Sequence, residues 1–179
     1  MTGMIDDRRD LVATVLGDGA LTPAVREALG GVAPGIATAC CVVPQVPDPA
    51  PLDTLDDERL HHDVGDALAA VLAHVQRAAA SFTAGGRLVF VLPHAPLLGT
   101  IDGAAASAVT NGVLSMARTL AIELARDGVT VNVIAVDEAR PSVRALAAEL
   151  EVLLGDPGED ITGQEIYLTA GTDLGRLRP

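Results

Sequence analysis

The chain has 179 residues, a formal net charge of −12 at pH 7 and a sequence pI near 4.5. This length suits one domain with a sizeable hydrophobic core, and the negative charge argues against nucleic acid and anionic membrane surfaces as partners. Hydrophobic residues make up 49% of the chain and aromatic residues only 2%, so we expect a core of Ala, Val, Leu and Ile.

The amino-terminal stretch MTGMIDDRRD is charged, and no apolar run reaches the roughly 18 residues of a membrane-spanning helix. We therefore expect no signal peptide, no transmembrane segment and a cytoplasmic location.

A first strand is predicted over 11–16, followed by a turn that contains Gly17 and Gly19. Thr22 is the expected N-cap of a helix that has Pro23 in its first turn and runs to about Leu29.

The next strand is predicted over 36–43 and contains the only two cysteines, Cys40 and Cys41. Adjacent residues of a strand point to opposite faces, so we interpret both as small buried hydrophobic residues rather than as a disulfide or a metal pair.

A proline-rich connector over 44–51 follows. Thr54 is a candidate N-cap for a short turn, and a helix is predicted over 64–81. Before it, His61, His62 and Asp63 are consecutive and indicate a solvated turn more than a metal site.

The central part of the chain predicts a strand–helix–strand unit, with strands over 87–92 and 129–136 and a long helix over 104–126. Apolar residues at helical spacing should face the sheet, namely Val109, Val113, Met116, Leu120 and Leu124. The other side of the helix is also apolar and should meet a neighbouring helix or a partner chain. The candidate interface residues are Leu114, Ala121, Ile122 and Ala125, together with His74 on the preceding helix.

A late helix is predicted over 143–154, and a last strand over 165–169. The expected fold is an α/β domain with about five parallel strands between two helical layers, in one domain over 1–179.

Three stretches resemble the short-chain dehydrogenase/reductase family, in particular ketoreductases of the 3-oxoacyl-carrier-protein reductase type. They are ARTLAIELARDGVTVNVIAVD, DITGQEIYLTAGT and PLDTLDDERLHHDVGDALAAVLAHVQRAA. The resemblance covers roughly 36–172 and implies a three-layer Rossmann-like sheet. It also implies that two strands and a helix of the cofactor half are missing, since only about 20 residues separate the first two strands. The domain is therefore expected to be truncated.

The same alignment shows that the family's catalytic residues are replaced. The position of the family's Tyr falls on Ala106 and that of its Lys on Thr110. The position of the Ser falls on Pro93, or on His94 with a one-residue slip, and that of the Asn on Gly65. The chain contains no Lys, and its one Tyr is Tyr167. We therefore expect no catalytic dyad of the family's type in this chain.

The cofactor-binding glycines are also degenerate. The family carries a glycine-rich turn between its first strand and first helix, where the backbone approaches the pyrophosphate. Here Gly17 and Gly19 stand alone, and Asp18 adds a negative charge between them. We therefore expect no cofactor in this chain.

These features predict a catalytically inactive subunit that associates with an active short-chain ketoreductase and stabilises or shapes it. The resemblance implies two association surfaces, the helices over 64–81 and 104–126 and the C-terminal strand. The partner would carry NADPH, and the complex would reduce a keto group, of a polyketide or acyl-carrier-protein substrate by analogy.

Three alternatives stay open. His94 and Asp102, with Ser107 and Asn111, could form a cofactor-independent cyclase, dehydratase or isomerase site at the carboxyl edge of the sheet. The chain could instead be a homo-oligomeric remnant without catalysis. An NADPH reductase acting alone conflicts with the missing Lys and the displaced Tyr167.

Overall fold

A computed structural model describes residues 13–33, 37–82 and 85–171. Within them five strands form one sheet, and every neighbouring pair is parallel. The strands are β1 (Thr14–Leu16), β2 (Thr38–Val42), β3 (Gly86–Pro93), β4 (Val129–Val136) and β5 (Glu165–Leu168). Their order in space is their order in the chain. The predicted five-stranded parallel sheet is confirmed, and the order left open by the sequence is settled. The starts predicted for the first two strands, 11–12 and 36, lie outside the described residues.

Six α-helices flank the sheet in the described residues. They are α1 (Thr22–Leu29), α2 (Asp57–Leu60), α3 (Ala67–Ser81), α4 (His94–Leu98), α5 (Ala104–Glu123) and α6 (Val143–Leu154). A π-helical segment, His61–Asp66, joins α2 to α3 without a break. Single 3₁₀ turns span Leu52–Thr54, Ala125–Asp127 and Asp156–Asp160.

The sheet separates two hydrophobic cores. On one face, α1 and α6 pack together over a core that includes Val25, Cys41 and Leu150. On the other face, α3 and α5 cover a core that includes Cys40, Phe90 and Val113. Every residue of β3 and β4 is buried, because helices cover both faces of these central strands. That double burial explains why the two strands are mainly apolar, with Arg87, Thr130 and Asn132 as their buried polar residues.

Two predicted helix caps are wrong. Thr22 is the first residue of α1 rather than its N-cap, and its hydroxyl is buried with no hydrogen-bond partner in the described part of the chain. Asp56 rather than Thr54 caps α2, because its carboxylate accepts the Arg59 amide at 2.8 Å. The Thr54 hydroxyl instead donates to the Pro51 carbonyl. At α1 no side chain caps the helix, and the Thr22 amide donates to the Gly19 carbonyl at 2.9 Å.

The outward faces of the two long helices also differ from expectation. On α3 the buried residues are Val71, Val75 and Ala78, whereas Leu72 is 47% exposed. On α5, Leu114 and Ala121 are buried in the core of the chain itself rather than on an outward face. The reason is that α5 packs both on strands β3 and β4 and against α3, which lies beside it on the same face of the sheet. No helix in the described part of the chain is long and apolar enough to cross a membrane.

Candidate functional site

The glycine turn after β1 packs directly against the turn after β2. The Gly19 amide donates to the Val43 carbonyl at 3.3 Å, and the Gly19 carbonyl accepts the Thr22 amide at 2.9 Å. A Cβ on Gly17 would lie closer than 3.0 Å to the Val43 carbonyl oxygen, and one on Gly19 equally close to that of Pro44. Gly17 also has φ +91°, which side chains rarely adopt. Backbone packing therefore accounts for both glycines.

A cleft of about 510 Å³ opens beside this turn, a size that suits a small-molecule site. It lies at the carboxyl ends of β1 and β2, where open parallel sheets bind ligands. One wall is formed by residues 17–20 and 44–47, and the other by the π-helical segment and the first turns of α3. Five ionisable side chains line it, namely Asp18, His62, Asp63, Asp66 and His74.

Two of the carboxylates have partners one helical turn away. Asp63 accepts a hydrogen bond from Arg59 Nε at 3.1 Å, and Asp66 lies 3.1 Å from His62 Nδ1. These pairs have a spacing of four residues, so the sequence alone carried a signal for them. That these residues face the turn after β1 was not predictable from the sequence, because that contact joins distant parts of the chain.

His74 lies on α3 across the cleft from Asp18. Burial lowers the pKa of His74, the nearby Arg77 guanidinium lowers it further, and the Asp18 carboxylate raises it in part. His74 Nδ1 lies 3.3 Å from Arg77 Nη2, so the neutral ring can accept a hydrogen bond from that guanidinium. The cleft therefore faces any ligand at neutral pH with three carboxylates and an uncharged His74.

The fold family implies a nicotinamide dinucleotide in this region, and the residues present do not fit one. The Gly19 amide is already bound to Val43, so it is not directed at a phosphate. The backbone of Val43 and Pro44, just after β2, lies against both glycines, so their lack of a side chain is explained without an approaching pyrophosphate. No Arg or Lys is among the residues that line the cleft.

The positions that match the family's catalytic residues carry no acid or base. Ala106 and Thr110 are both buried, one turn apart on α5, and the Thr110 hydroxyl donates to the Ala106 carbonyl at 2.9 Å. Pro93 is buried at the end of β3. Gly65 lies in the π-helical segment, with room beside it limited by the His61 ring. None of these four side chains can donate or accept a proton as a general acid or base.

The alternative pair, His94 and Asp102, does not converge. His94 is buried at the start of α4, with its Nδ1 3.3 Å from the Val136 carbonyl oxygen. Asp102 is exposed in the loop before α5 with φ +58°. The Asn111 amide donates to the carbonyls of Pro96 and Ser107 rather than reaching His94. Neither His94 nor Asp102 lines the cleft beside Gly17 and Gly19 or the cavity at the carboxyl ends of β4 and β5.

A second cavity, of about 560 Å³, was not foreseen from the sequence. It lies at the carboxyl ends of β4 and β5, beside the start of α6, where the Ser142 hydroxyl caps the helix by accepting the Ala145 amide. Asp137 and Arg140 lie on one side of it, and Tyr167 and Thr169 on the other. The Asp137 carboxylate accepts the Ala139 amide at 3.1 Å.

The two cysteines are buried and free, as predicted. Burial raises the pKa of Cys40, with a hydrogen bond from Ser81 acting in the opposite direction. Burial also raises the pKa of Cys41, to about 12, and the neighbouring Cys40 adds to the rise. Both thiols are therefore protonated at neutral pH, which suits packing and not nucleophilic chemistry. The described residues hold no group of three or more His, Cys, Asp or Glu side chains placed to bind a metal ion.

The predicted interface residues divide into two groups. Ile122 is 80% exposed and Ala125 is also exposed, while His74 is half-buried in the cleft. Leu114 and Ala121 are buried within the chain, so only the first pair is open to a partner. The association surface itself stays a prediction.

Comparison with known proteins gives one curated relative and many solved structures of the same fold. The relative is the short-chain dehydrogenase/reductase family member NovK from Streptomyces niveus, 31% identical over 173 residues, an alignment that covers 86% of this chain and 70% of NovK. No family model matches the chain.

Among solved structures, a short-chain dehydrogenase of the glucose/ribitol type from Brucella melitensis superposes with a TM-score of 0.70 at 16% identity, covering 89% of this chain and 96% of that one. YwfH, an NADPH-dependent reductase involved in bacilysin biosynthesis, superposes with a TM-score of 0.64 at 15% identity, covering 76% and 67%. At such identities these structures support the fold alone.

Proposed function

Because this chain belongs to the short-chain dehydrogenase/reductase family, we propose that it is a subunit without a catalytic centre that pairs with an active short-chain ketoreductase. The partner carries NADPH and the reacting residues, and this chain stabilises or shapes it. The keto substrate is of the polyketide or acyl-carrier-protein type, by analogy with the ketoreductases that the sequence resembles.

The observation that carries the proposal is the state of the catalytic positions. A short-chain reductase needs a proton donor beside the substrate carbonyl, and Ala106 and Thr110 supply none. Their side chains are buried, and the Thr110 hydroxyl is bound to the backbone of its own helix. Loss of a positioned general acid typically lowers a rate by about 10²–10⁴. A chain of this family that lacks the proton donor is therefore better explained as a binding partner than as a reductase.

The exposed apolar side chains support association through one side of the molecule. In the described residues, most large apolar side chains that reach solvent lie on α2, α3 and α5 or in the loops that lead into them. They are Leu52, Leu60, Leu72, Ile101 and Ile122. Exposed apolar side chains on one helical layer are candidate contacts for a partner chain. Tyr167 on β5, 36% exposed, belongs to the second expected surface.

The proposal is tested first by activity. The chain is purified alone, and then with the short-chain reductase encoded nearest to it, and NADPH oxidation is followed with a β-ketoacyl substrate. We expect no turnover by the chain alone, and higher activity or stability of the reductase in its presence. Reduction by the chain alone would overturn the proposal.

Point variants then locate the surface. Leu72→Asp and Ile122→Asp each place a charge on the exposed side of α3 or α5, and we expect each to weaken the complex at least tenfold, because buried charges at an interface core are unpaired. Val152→Asp is the matched control, since Val152 is 39% exposed on α6, across the sheet. Equal binding by all three variants would contradict this surface. Thermal unfolding checks that each variant is folded.

A further inference from the structure

The cleft beside Gly17 and Gly19 differs from a dinucleotide site in charge as well as in shape. Three carboxylates line it, from Asp18 on the β1–α1 turn and from Asp63 and Asp66 on the π-helical segment. No Arg or Lys is among its lining residues. Two guanidiniums reach lining residues from outside the cleft: that of Arg59 is paired with Asp63, and that of Arg77 lies 3.3 Å from His74 Nδ1. A dinucleotide would bring a pyrophosphate, and NADPH a third phosphate, next to these groups.

We propose that these carboxylates exclude nicotinamide dinucleotides from the cleft, so that a position used for cofactor in related folds rejects it here. Like charges a few ångströms apart repel, and the repulsion is larger in a partly enclosed cleft than in open water. Asp18 and Asp66 stand on opposite walls, so a phosphate moved away from one approaches the other.

The groups around the cleft do not neutralise it at neutral pH. Desolvation and Arg77 both lower the pKa of His74, so this ring is uncharged near pH 7. Arg59 is paired with Asp63, and His62 Nδ1 lies 3.1 Å from Asp66 Oδ2. Asp18 forms no hydrogen bond or ion pair with other described residues. It is therefore the carboxylate most open to an approaching phosphate.

This inference concerns the isolated chain, and it holds or fails whether or not a reductase partner exists. A chain could reject NADPH and still form only homo-oligomers, and it could bind NADPH and still pair with a reductase. The two proposals therefore need separate experiments.

The test uses the purified full chain and NADPH itself, with binding followed by saturation-transfer NMR and by cofactor fluorescence. The variant is Asp18→Asn/Asp66→Asn, which removes one carboxylate from each wall and leaves the Arg59–Asp63 pair in place. Asp127→Asn is the control, since Asp127 is exposed in the turn before β4, at the opposite edge of the sheet. Circular dichroism and thermal unfolding establish that all three proteins are folded.

We expect no saturable NADPH binding to the wild type or to Asp127→Asn, and an affinity at least about tenfold higher for the double variant. The gain should shrink in high salt, because screening weakens the repulsion that the variant removes. Saturable micromolar binding by the wild type would overturn the proposal. A double variant no better than the wild type, or a gain matched by Asp127→Asn, would overturn it equally.

Discussion

Gly17 and Gly19 show how a motif can be kept for a reason other than the function it suggests. Both glycines let the turn after β1 approach the carbonyls of Val43 and Pro44, and the Gly19 amide is bound to Val43. The glycine pair of a phosphate loop and the glycine pair of a tight inter-strand contact look alike in sequence. Only the position of β2 distinguishes them.

Substitution of these glycines therefore tests a structural role. We expect Gly17→Ala and Gly19→Ala each to lower the free energy of unfolding by about 3 kcal/mol or more, because a Cβ would collide with backbone that has no room to move. Gly31→Ala is the control, since its Cβ would make ordinary contact with the Ala28 carbonyl, and a change below about 1 kcal/mol is expected. Urea denaturation measures all three. Wild-type stability in Gly19→Ala would contradict the packing role.

His74 gives the cleft a pH dependence whose sign follows from its lowered pKa. Between its folded pKa and its ordinary value of about 6.5, the unfolded chain binds a proton that the folded chain does not. His74 therefore costs the folded chain no stability above about pH 6.5. As the pH falls below that value, stability is lost, because the unfolded chain takes up the proton first.

We accordingly expect His74→Gln to lose less stability than the wild type between about pH 7.5 and pH 5.5, as measured by urea denaturation. Comparing the two proteins cancels the effect of the many acidic groups that titrate in both. An equal loss in the two proteins would show that the pKa of His74 is not lowered by folding.

At the scale of elements, the carboxyl half of the sheet depends on one buried amide. Asn132 on β4 donates to the Ile161 carbonyl at 2.7 Å and accepts the Gln164 amide at 3.0 Å. These two bonds hold the segment that leads into β5. The backbone adds a further bond, from the Gly163 amide to the Val131 carbonyl at 2.7 Å.

Removal of that amide should destabilise the chain measurably. We expect Asn132→Ala to cost about 2–3 kcal/mol in unfolding free energy, because it leaves a carbonyl and an amide unpaired in a part-buried place. Gln164→Ala removes only an exposed side-chain bond to the Thr162 carbonyl and should change stability by less than about 0.5 kcal/mol. Similar midpoints in chemical denaturation for the two variants would show that the amide is not the anchor.

The elements most predictable from sequence were those with the clearest local pattern. The strands β3 and β4 are mainly apolar and each follows a glycine turn, and helices cover them on both faces. Which face of α3 is buried was not predictable, since the faces of an Ala-rich helix differ little in hydrophobicity. Its buried stripe is Val71, Val75 and Ala78, and Leu72 is left in solvent.

The candidate site was predictable only in part. The positions of Ala106 and Thr110 followed from the resemblance, since their helix lies in the best-matched stretch. The cleft did not, because it forms where the turn after β1 meets the π-helical segment, two parts of the chain more than 40 residues apart. A local sequence pattern does not predict such a long-range contact.

For the whole molecule, the sheet keeps the strands that support two helical layers and has no further strand beside β1 in the described residues. The helical side built by α3 and α5 is intact and carries exposed Leu72 and Ile122. The edge strand β5 is likewise present, tied to α5 by the ion pair between Arg118 and Glu165. The helices and the edge strand expected for association are therefore present, while Leu114 and Ala121 of the predicted interface are buried.

The most direct test is the mass of the complex formed when this chain is co-expressed with the short-chain reductase encoded nearest to it, together with its NADPH content. Native mass spectrometry gives both numbers from one sample. We predict a mixed oligomer with one NADPH for each reductase chain and none for this chain. A homo-oligomer of this chain that ignores the reductase, or a cofactor bound to every chain, would contradict the account.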